Sequence, residues 1–345
     1  MKKKIIQLLI FLSLGIFFVW ISVRNLSLED IEKIKESAVG ILNPKSLFYI
    51  FLTMISGMIA HYFRALRNIL LIDPLGYRVR KSTAFYSIMV CYLSNLAIPR
   101  LGEVLRCTFL QRYDNVPFQK SFGTVVVDRV LDLFIFALLF VLIIFLNKEL
   151  LSELVISKEG VTLGVRMNEI WTFLWNLKYL FLGIIIGTII GLFIKKKRKT
   201  GKKESKIIIK VKNIITGLWQ GLISIKDLKH PYLFVIYTIA LWVFYYLGTL
   251  MCFLAFDFLQ GLGPMPAFMV LVVGAIGFMV AQGGLGAYPL IVAGILMLYG
   301  VDYAQGLAAG WIGWSAQTVM ILIVGFASLM LASFLKIEDR AVNNE

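Results

Sequence analysis

Residues 231–256 read PYLFVIYTIALWVFYYLGTLMCFLAF, an unbroken stretch without a charged side chain. As a helix this stretch rises about 39 Å at 1.5 Å per residue, enough to cross the roughly 30 Å hydrocarbon core of a bilayer. The surroundings extend the pattern. Between Lys229 and Lys336 there is no Lys or Arg, and the only acids are Asp257 and Asp302, so this part of the chain must thread lipid repeatedly. Over all 345 residues, 59% are hydrophobic, 16% are charged and the mean hydropathy is +0.83. An average globular chain carries about 25% charged residues, and here the missing charge is absent from whole blocks. The fold class this predicts is an all-α polytopic integral membrane protein, one membrane domain over residues 1–345 with no free-standing soluble part.

The net charge of +15 lies mostly in the first two thirds of the chain. Its basic residues flank apolar runs, the pattern of cytoplasmic loops beside anionic lipid rather than of a nucleic-acid surface. No nucleic-acid partner is expected. Cys91, Cys107 and Cys252 are isolated and read as packing residues, and His61 and His230 read as helix-end histidines near the membrane interface. No metal set or other cofactor is expected. The opening Met1-Lys-Lys-Lys followed by Ile5 to Val23 has no small-residue cleavage site and reads as a first span.

Runs long enough to span occur at 5–23, 46–66, 124–146, 171–194, 232–256 and 306–335, which gives about six spanning helices. Shorter apolar segments occupy 83–98, 267–281 and 288–300. The positive-inside rule orients them. The Met1 end is cytoplasmic, and Arg24 to Lys45 is charge-balanced and external. Arg64 to Lys81, with five basic residues against Asp73, is cytoplasmic; 147–170 is mixed and external; Lys195 to Lys212, with ten basic residues against Glu204, is cytoplasmic. For these to agree, residues 83–120 enter and leave on the cytoplasmic side as a re-entrant hairpin. If Lys336 to Arg340 is inside, residues 260–305 form a second hairpin from the opposite face.

The expected organisation is therefore a first repeat at 46–146, a linker at 147–231 and a second repeat at 232–335, inverted relative to the first. Inverted repeats are a common transporter architecture, with substrate held where broken helices meet. Within the linker, 195–230 is a basic cytoplasmic segment, and Ile207 to Lys226 reads as a helix on the inner surface. Gly183, Gly187 and Gly191 repeat at four-residue spacing in the preceding span, a small-residue ridge suited to helix approach, including in a homo-oligomer.

Two places carry the candidate chemistry. The first hairpin reads Asn95-Leu-Ala-Ile-Pro-Arg-Leu-Gly-Glu-Val-Leu-Arg106, with Pro99 and Gly102 breaking the helix. Arg100 and Arg106 flank one point with Glu103 as a partial counterion, and the next span opens with Asp128, Arg129 and Asp132. Ionisable residues inside a membrane usually face a cavity or a partner, and a guanidinium fork suits phosphate oxygens. The plain alternative is a charged loop following an ordinary span. The second place is Gln282-Gly-Gly-Leu-Gly-Ala287, where Gly283, Gly284 and Gly286 would expose backbone N–H groups at a helix start, an anion site without a cationic side chain. Glycine clusters also make turns that bind nothing.

Asn95 to Arg106, the Val125-Val-Val-Asp-Arg-Val-Leu-Asp132 span entry and Gly283-Gly-Leu-Gly-Ala287, in this order, resemble the lysylphosphatidylglycerol synthase transmembrane-region family, also called flippase-like membrane proteins. The resemblance covers nearly the whole chain. In that family the bacterial multiple peptide resistance factors fuse such a region to a soluble domain that aminoacylates phosphatidylglycerol, and the membrane region flips the product outward. The resemblance thus implies lipid translocation. The chain ends at Glu345, just past its last span, so no synthase domain is expected. One departure is Asp128, where the family more often has Glu.

The expected function is a flippase moving an anionic or phosphate-bearing lipid, aminoacylated or polyprenyl-type, between the leaflets of the cytoplasmic membrane, both chain termini lying inside. Arg100, Arg106 and Arg129 would hold the headgroup opposite the glycine tip. No nucleotide-binding motif is present, so movement would be passive or ion-coupled, with Glu103, Asp128 or Asp132 as proton carriers. A membrane-embedded enzyme on lipid phosphates and a scaffold for lipid or glycan synthesis are the rival readings; the sequence lacks a nucleophile-plus-base set, so no enzyme is expected.

Overall fold

A computed structural model describes residues 13, 15–24, 26–147 and 226–342. Two compact units are present, Met1–Leu139 with Ile214–Glu345, and Phe140–Asn213. Of the second unit only residues 140–147 are described. The described secondary structure is entirely helical. Residues 15–23 form α1, followed by α2 (Leu28–Gly40), α3 (Pro44–Ile72), α4 (Lys81–Ala97), α5 (Leu101–Asp114), α6 (Phe118–Leu146), α7 (Pro231–Leu254), α8 (Pro264–Val280), α9 (Ala287–Met297) and α10 (Tyr303–Val342).

Four of these helices, α3, α6, α7 and α10, are long and apolar enough to cross a bilayer; α8 and α9 are shorter apolar helices. Their outer faces carry large apolar side chains that water would penalise and lipid accepts, among them Phe51, Phe134, Ile239 and Met330. Of the two other expected spans, 171–194 lies outside the described residues, as do Gly183, Gly187, Gly191 and the segment 195–225. Only the last part of 5–23 is described, and it is helical.

Two boundaries differ from expectation for physical reasons. The stretch Arg24 to Lys45 is not simply a loop: Ser27 caps α2, its hydroxyl accepting the Asp30 N–H at 3.1 Å while the Asp30 carboxylate accepts the Ser27 N–H at 2.9 Å. That reciprocal box also holds the Asp30 carboxyl below its ordinary range. The first long span does not stop at residue 66. It runs to Ile72, because the charges of Arg64 and Arg67 are met by carboxylates from another helix rather than by water.

Small hydroxyl side chains bring α3 and α7 together. Ser46, Thr53 and Ser56 donate to the carbonyls of Ala255, Gly248 and Phe244 at 2.7, 3.2 and 3.0 Å, the type of contact that replaces the hydrophobic effect between helices in lipid. The α4 and α5 helices pack as a hairpin close enough that a Cβ on Gly102 would collide with the Cys91 carbonyl oxygen.

Candidate functional site

The break between α4 and α5 is built from side chains. Ile98 is extended, and Arg100 takes a left-handed conformation, φ 63°, as the residue preceding α5. Asn95 then ties the two helices: its side-chain carbonyl accepts the Gly102 N–H at 2.8 Å, and its amide donates to both Glu103 oxygens at 3.4 Å. One orphan donor at the start of α5 is thus satisfied from the end of α4.

The break between α8 and α9 is built from backbone. Gly283, Gly284 and Gly286 all have positive φ, at 60°, 75° and 71°, a conformation that costs other residues about 1–2 kcal/mol. The two breaks meet. Gln282 donates its side-chain amide to the Leu96 carbonyl at 2.9 Å, reaching the free end of α4, and the Trp314 indole N–H of α10 donates to the Gly283 carbonyl at 2.7 Å.

Where they meet, a cavity of about 580 Å³ opens, in the size range of small-molecule and headgroup sites. Asn95, Arg100, Glu103, Arg129 and Gly283 all line it, with Gln282 beside them. Its walls are largely apolar and include the rings of Tyr92, Trp242, Tyr245 and Tyr288. His61, expected at a helix end near the interface, is instead a buried wall residue in mid-helix, its ring 4.3 Å from that of Tyr92 and its Nδ1 3.3 Å from the Tyr245 hydroxyl. Arg129 pairs with Glu103 at 2.8 Å, with 45% of the Arg129 side chain exposed. Arg100 makes no ion pair among the described residues.

Arg106, Asp128 and Asp132 lie elsewhere. They form a buried cluster with Arg64 and Arg67 of α3, residues read in the sequence as belonging to a cytoplasmic loop. Arg67 donates through Nε to Asp128 at 2.9 Å and through Nη2 to Asp132 at 2.6 Å. Arg64 pairs with Asp132 and stands 3.7 Å from Asp128, while Arg106 approaches Asp128 at 3.4 Å. The overlooked signal was spacing: Arg64 and Arg67 are one turn apart, as are Asp128 and Asp132, so each pair presents one helix face to the other. Gly284 and Gly286 also lie away from the cavity lining. A Cβ on Gly284 would meet the Phe278 ring at 2.8 Å, and one on Gly286 would meet the Val19 backbone nitrogen at 2.6 Å.

Over 147 residues the chain is 29% identical to a UPF0104 membrane protein of Methanocaldococcus jannaschii, an alignment covering 41% of this chain and 42% of that relative. The chain thus spans about two fifths of the relative's length. No solved structure matches it. Residues 4–325, which contain both helix breaks, the cavity between them and the buried cluster, match the family described as lysylphosphatidylglycerol synthase TM region, and the chain belongs to that family.

Proposed function

We propose that this protein moves a phosphate-bearing anionic lipid between the leaflets of a cytoplasmic membrane, with the headgroup phosphate at Arg100 and the acyl chains along the apolar walls. The observation that carries the reading is the charge pattern of the cavity. Arg129 already has its acid in Glu103, whereas Arg100, held at the helix break, has none among the described residues. A cation kept without a counterion in a largely apolar cavity is suited to an anionic ligand. Family membership supports a lipid-related role. The ligand oxygens would replace the missing carboxylate, and Glu103 is the acid that lines the cavity if movement is coupled to protons.

In this reading α4 and α5 form a re-entrant hairpin from the cytoplasmic face, α8 and α9 one from the external face, and both termini are cytoplasmic. The order long helix, hairpin, long helix occurs as α3, α4/α5, α6 and again as α7, α8/α9, α10, an inverted repeat about the cavity. Arg64 and Arg67 no longer count toward the orientation, but Arg78, Arg80 and Lys81 against Asp73 keep that turn basic. No chemical step is assigned to the chain.

The test is scrambling of fluorescent phosphatidylglycerol in proteoliposomes. Arg100→Gln abolishes it and Arg100→Lys, which keeps the charge and loses the fork, impairs it. Scrambling at the wild-type rate in Arg100→Gln would shift the reading to a scaffold. Single cysteines at Asn115 and Asp302 should label from opposite faces.

A further inference from the structure

The charged side chains that line the cavity, Arg100, Glu103 and Arg129, all come from the α4/α5 hairpin and α6. The lining contributed by α7 to α10 carries no charge and offers neutral hydrogen-bonding groups instead. The Tyr288 ring lies against Gly274 of α8, where a Cβ would stand 2.9 Å from it, and its hydroxyl reaches α10, 4.0 Å from the position a Gly313 Cβ would take. Gln317, one turn after Gly313, donates its side-chain amide to the Thr53 carbonyl at 3.2 Å, which leaves its own carbonyl oxygen as an acceptor. Thr318 stands beside it in the lining, and Tyr92 of α4 adds a further hydroxyl. The hydroxyls of Tyr92, Tyr288 and Thr318 have no hydrogen-bond partner among the described residues, and none of these oxygens is sealed off as the Trp242 indole N–H is.

A headgroup amine is poorly served here. The cavity holds two arginines and one acid, and that acid is already paired with Arg129. Tyr92 and Tyr288 pack their rings against His61 and Phe278 at 4.3 and 4.9 Å, so what they add to the site is chiefly the hydroxyl. Ligand hydroxyls, which both donate and accept, match such groups.

We propose that the cavity selects phospholipids whose phosphate carries a small neutral polyol, of glycerol or single-sugar size. The phosphate lies at Arg100 and the polyol hydroxyls bond to Tyr92, Tyr288, Gln317 and Thr318. This rests on the lipid reading above and names its substrate class; a cavity of about 580 Å³ has room for such a headgroup.

The experiment is native mass spectrometry of the full chain in detergent with three lipids of identical acyl chains: phosphatidylglycerol, phosphatidylethanolamine and phosphatidylmethanol. Phosphatidylmethanol has the single negative charge of phosphatidylglycerol without its glycerol hydroxyls. Phosphatidylglycerol should bind more tightly than either, by about two- to tenfold for each hydrogen bond gained. Tyr288→Phe and Thr318→Val, which remove a hydroxyl and keep the bulk, should each weaken phosphatidylglycerol by about two- to tenfold and leave phosphatidylmethanol unchanged. A merely structural effect would weaken both lipids alike. Equal binding of the three lipids to the wild-type chain overturns the proposal and leaves the lipid reading standing, as does an unmoved ratio of phosphatidylglycerol to phosphatidylmethanol in both variants. Glycerol 3-phosphate bound as tightly as phosphatidylglycerol overturns it in favour of a soluble phosphate ligand. Selective binding without scrambling in proteoliposomes upholds the headgroup assignment and defeats transport, and binding of none of the lipids defeats both.

Discussion

Glu103 and Arg129 meet at 2.8 Å on the cavity wall with Arg129 45% exposed, whereas Arg106, one turn further along α5, and Asp128, the neighbour of Arg129 on α6, are 3% and 1% exposed. The same two helices thus carry two sets of opposite charges with opposite surroundings. In the cavity set the ions are few, accessible and incompletely matched, and Arg100 stands over. In the buried set every carboxylate is shared between arginines. Accessibility, more than residue type, separates charges available to a ligand from charges that fasten helices to each other.

The largest effect should come from the buried set. Arg67→Gln leaves Asp128 and Asp132 short of their main partner, and breaking a buried pair costs about 3–5 kcal/mol. Unfolding in detergent should show a loss of that order; a loss below about 1 kcal/mol would mean that the two sets do not differ energetically. Next is the hairpin that carries both Glu103 and Arg106. Gly102→Ala forces α5 off the Cys91 carbonyl, an overpacking cost of about 1–3 kcal/mol, and disturbs both sets, so thermal stability and scrambling should fall together.

Arg100→Gly separates them. It relieves a left-handed conformation, so stability should be unchanged or raised by up to about 1 kcal/mol, while scrambling of fluorescent phosphatidylglycerol is lost. Asn115→Gly is the matched control, at φ 54° and away from the cavity lining; it should gain similarly and keep transport. If both variants transport normally, the strain at Arg100 has no functional return. The smallest stability effect belongs to Arg129→Gln. Its partly exposed pair is worth at most about 1 kcal/mol, so the melting temperature should hardly move, and a fall comparable to that of Arg67→Gln would erase the contrast.

Much of this was legible in the chain because the signals are local. Uninterrupted apolar runs mark α3, α6, α7 and α10, and Pro99 with Gly102, like Gln282 to Gly286, mark the breaks. The polar residues at the first break, Asn95, Arg100 and Glu103, were legible for the same reason. What was not legible depends on distant partners. Arg64 and Arg67 look like the end of a span until Asp128 and Asp132, more than sixty positions later, are placed against them. His61 looks interfacial until Tyr92 and Tyr245 enclose it. Conversely, Gly284 and Gly286 look like ligand-binding glycines, but their missing side chains accommodate Phe278 and the backbone of residues 18 and 19. The α2 helix did carry a local sign, Ser27 three residues before Asp30, in a stretch weighed only for its charge.

The amide of Gln282 on the carbonyl of Leu96 joins residues 186 positions apart, and this separation has a consequence for biogenesis. All arginines and aspartates of the buried cluster lie between residues 64 and 132, so a nascent chain that has delivered α6 to the bilayer already holds their mutual partners. The end of α4 has no such provision. Once α6 is complete at Leu146, the ribosome must add 136 further residues to reach Gln282, roughly 7–27 s at ordinary elongation rates of about 5–20 residues per second. During that interval the Leu96 carbonyl is without its native donor, and a substitute, whether water, lipid headgroup or insertion machinery, has to be held there and then released when the later half arrives.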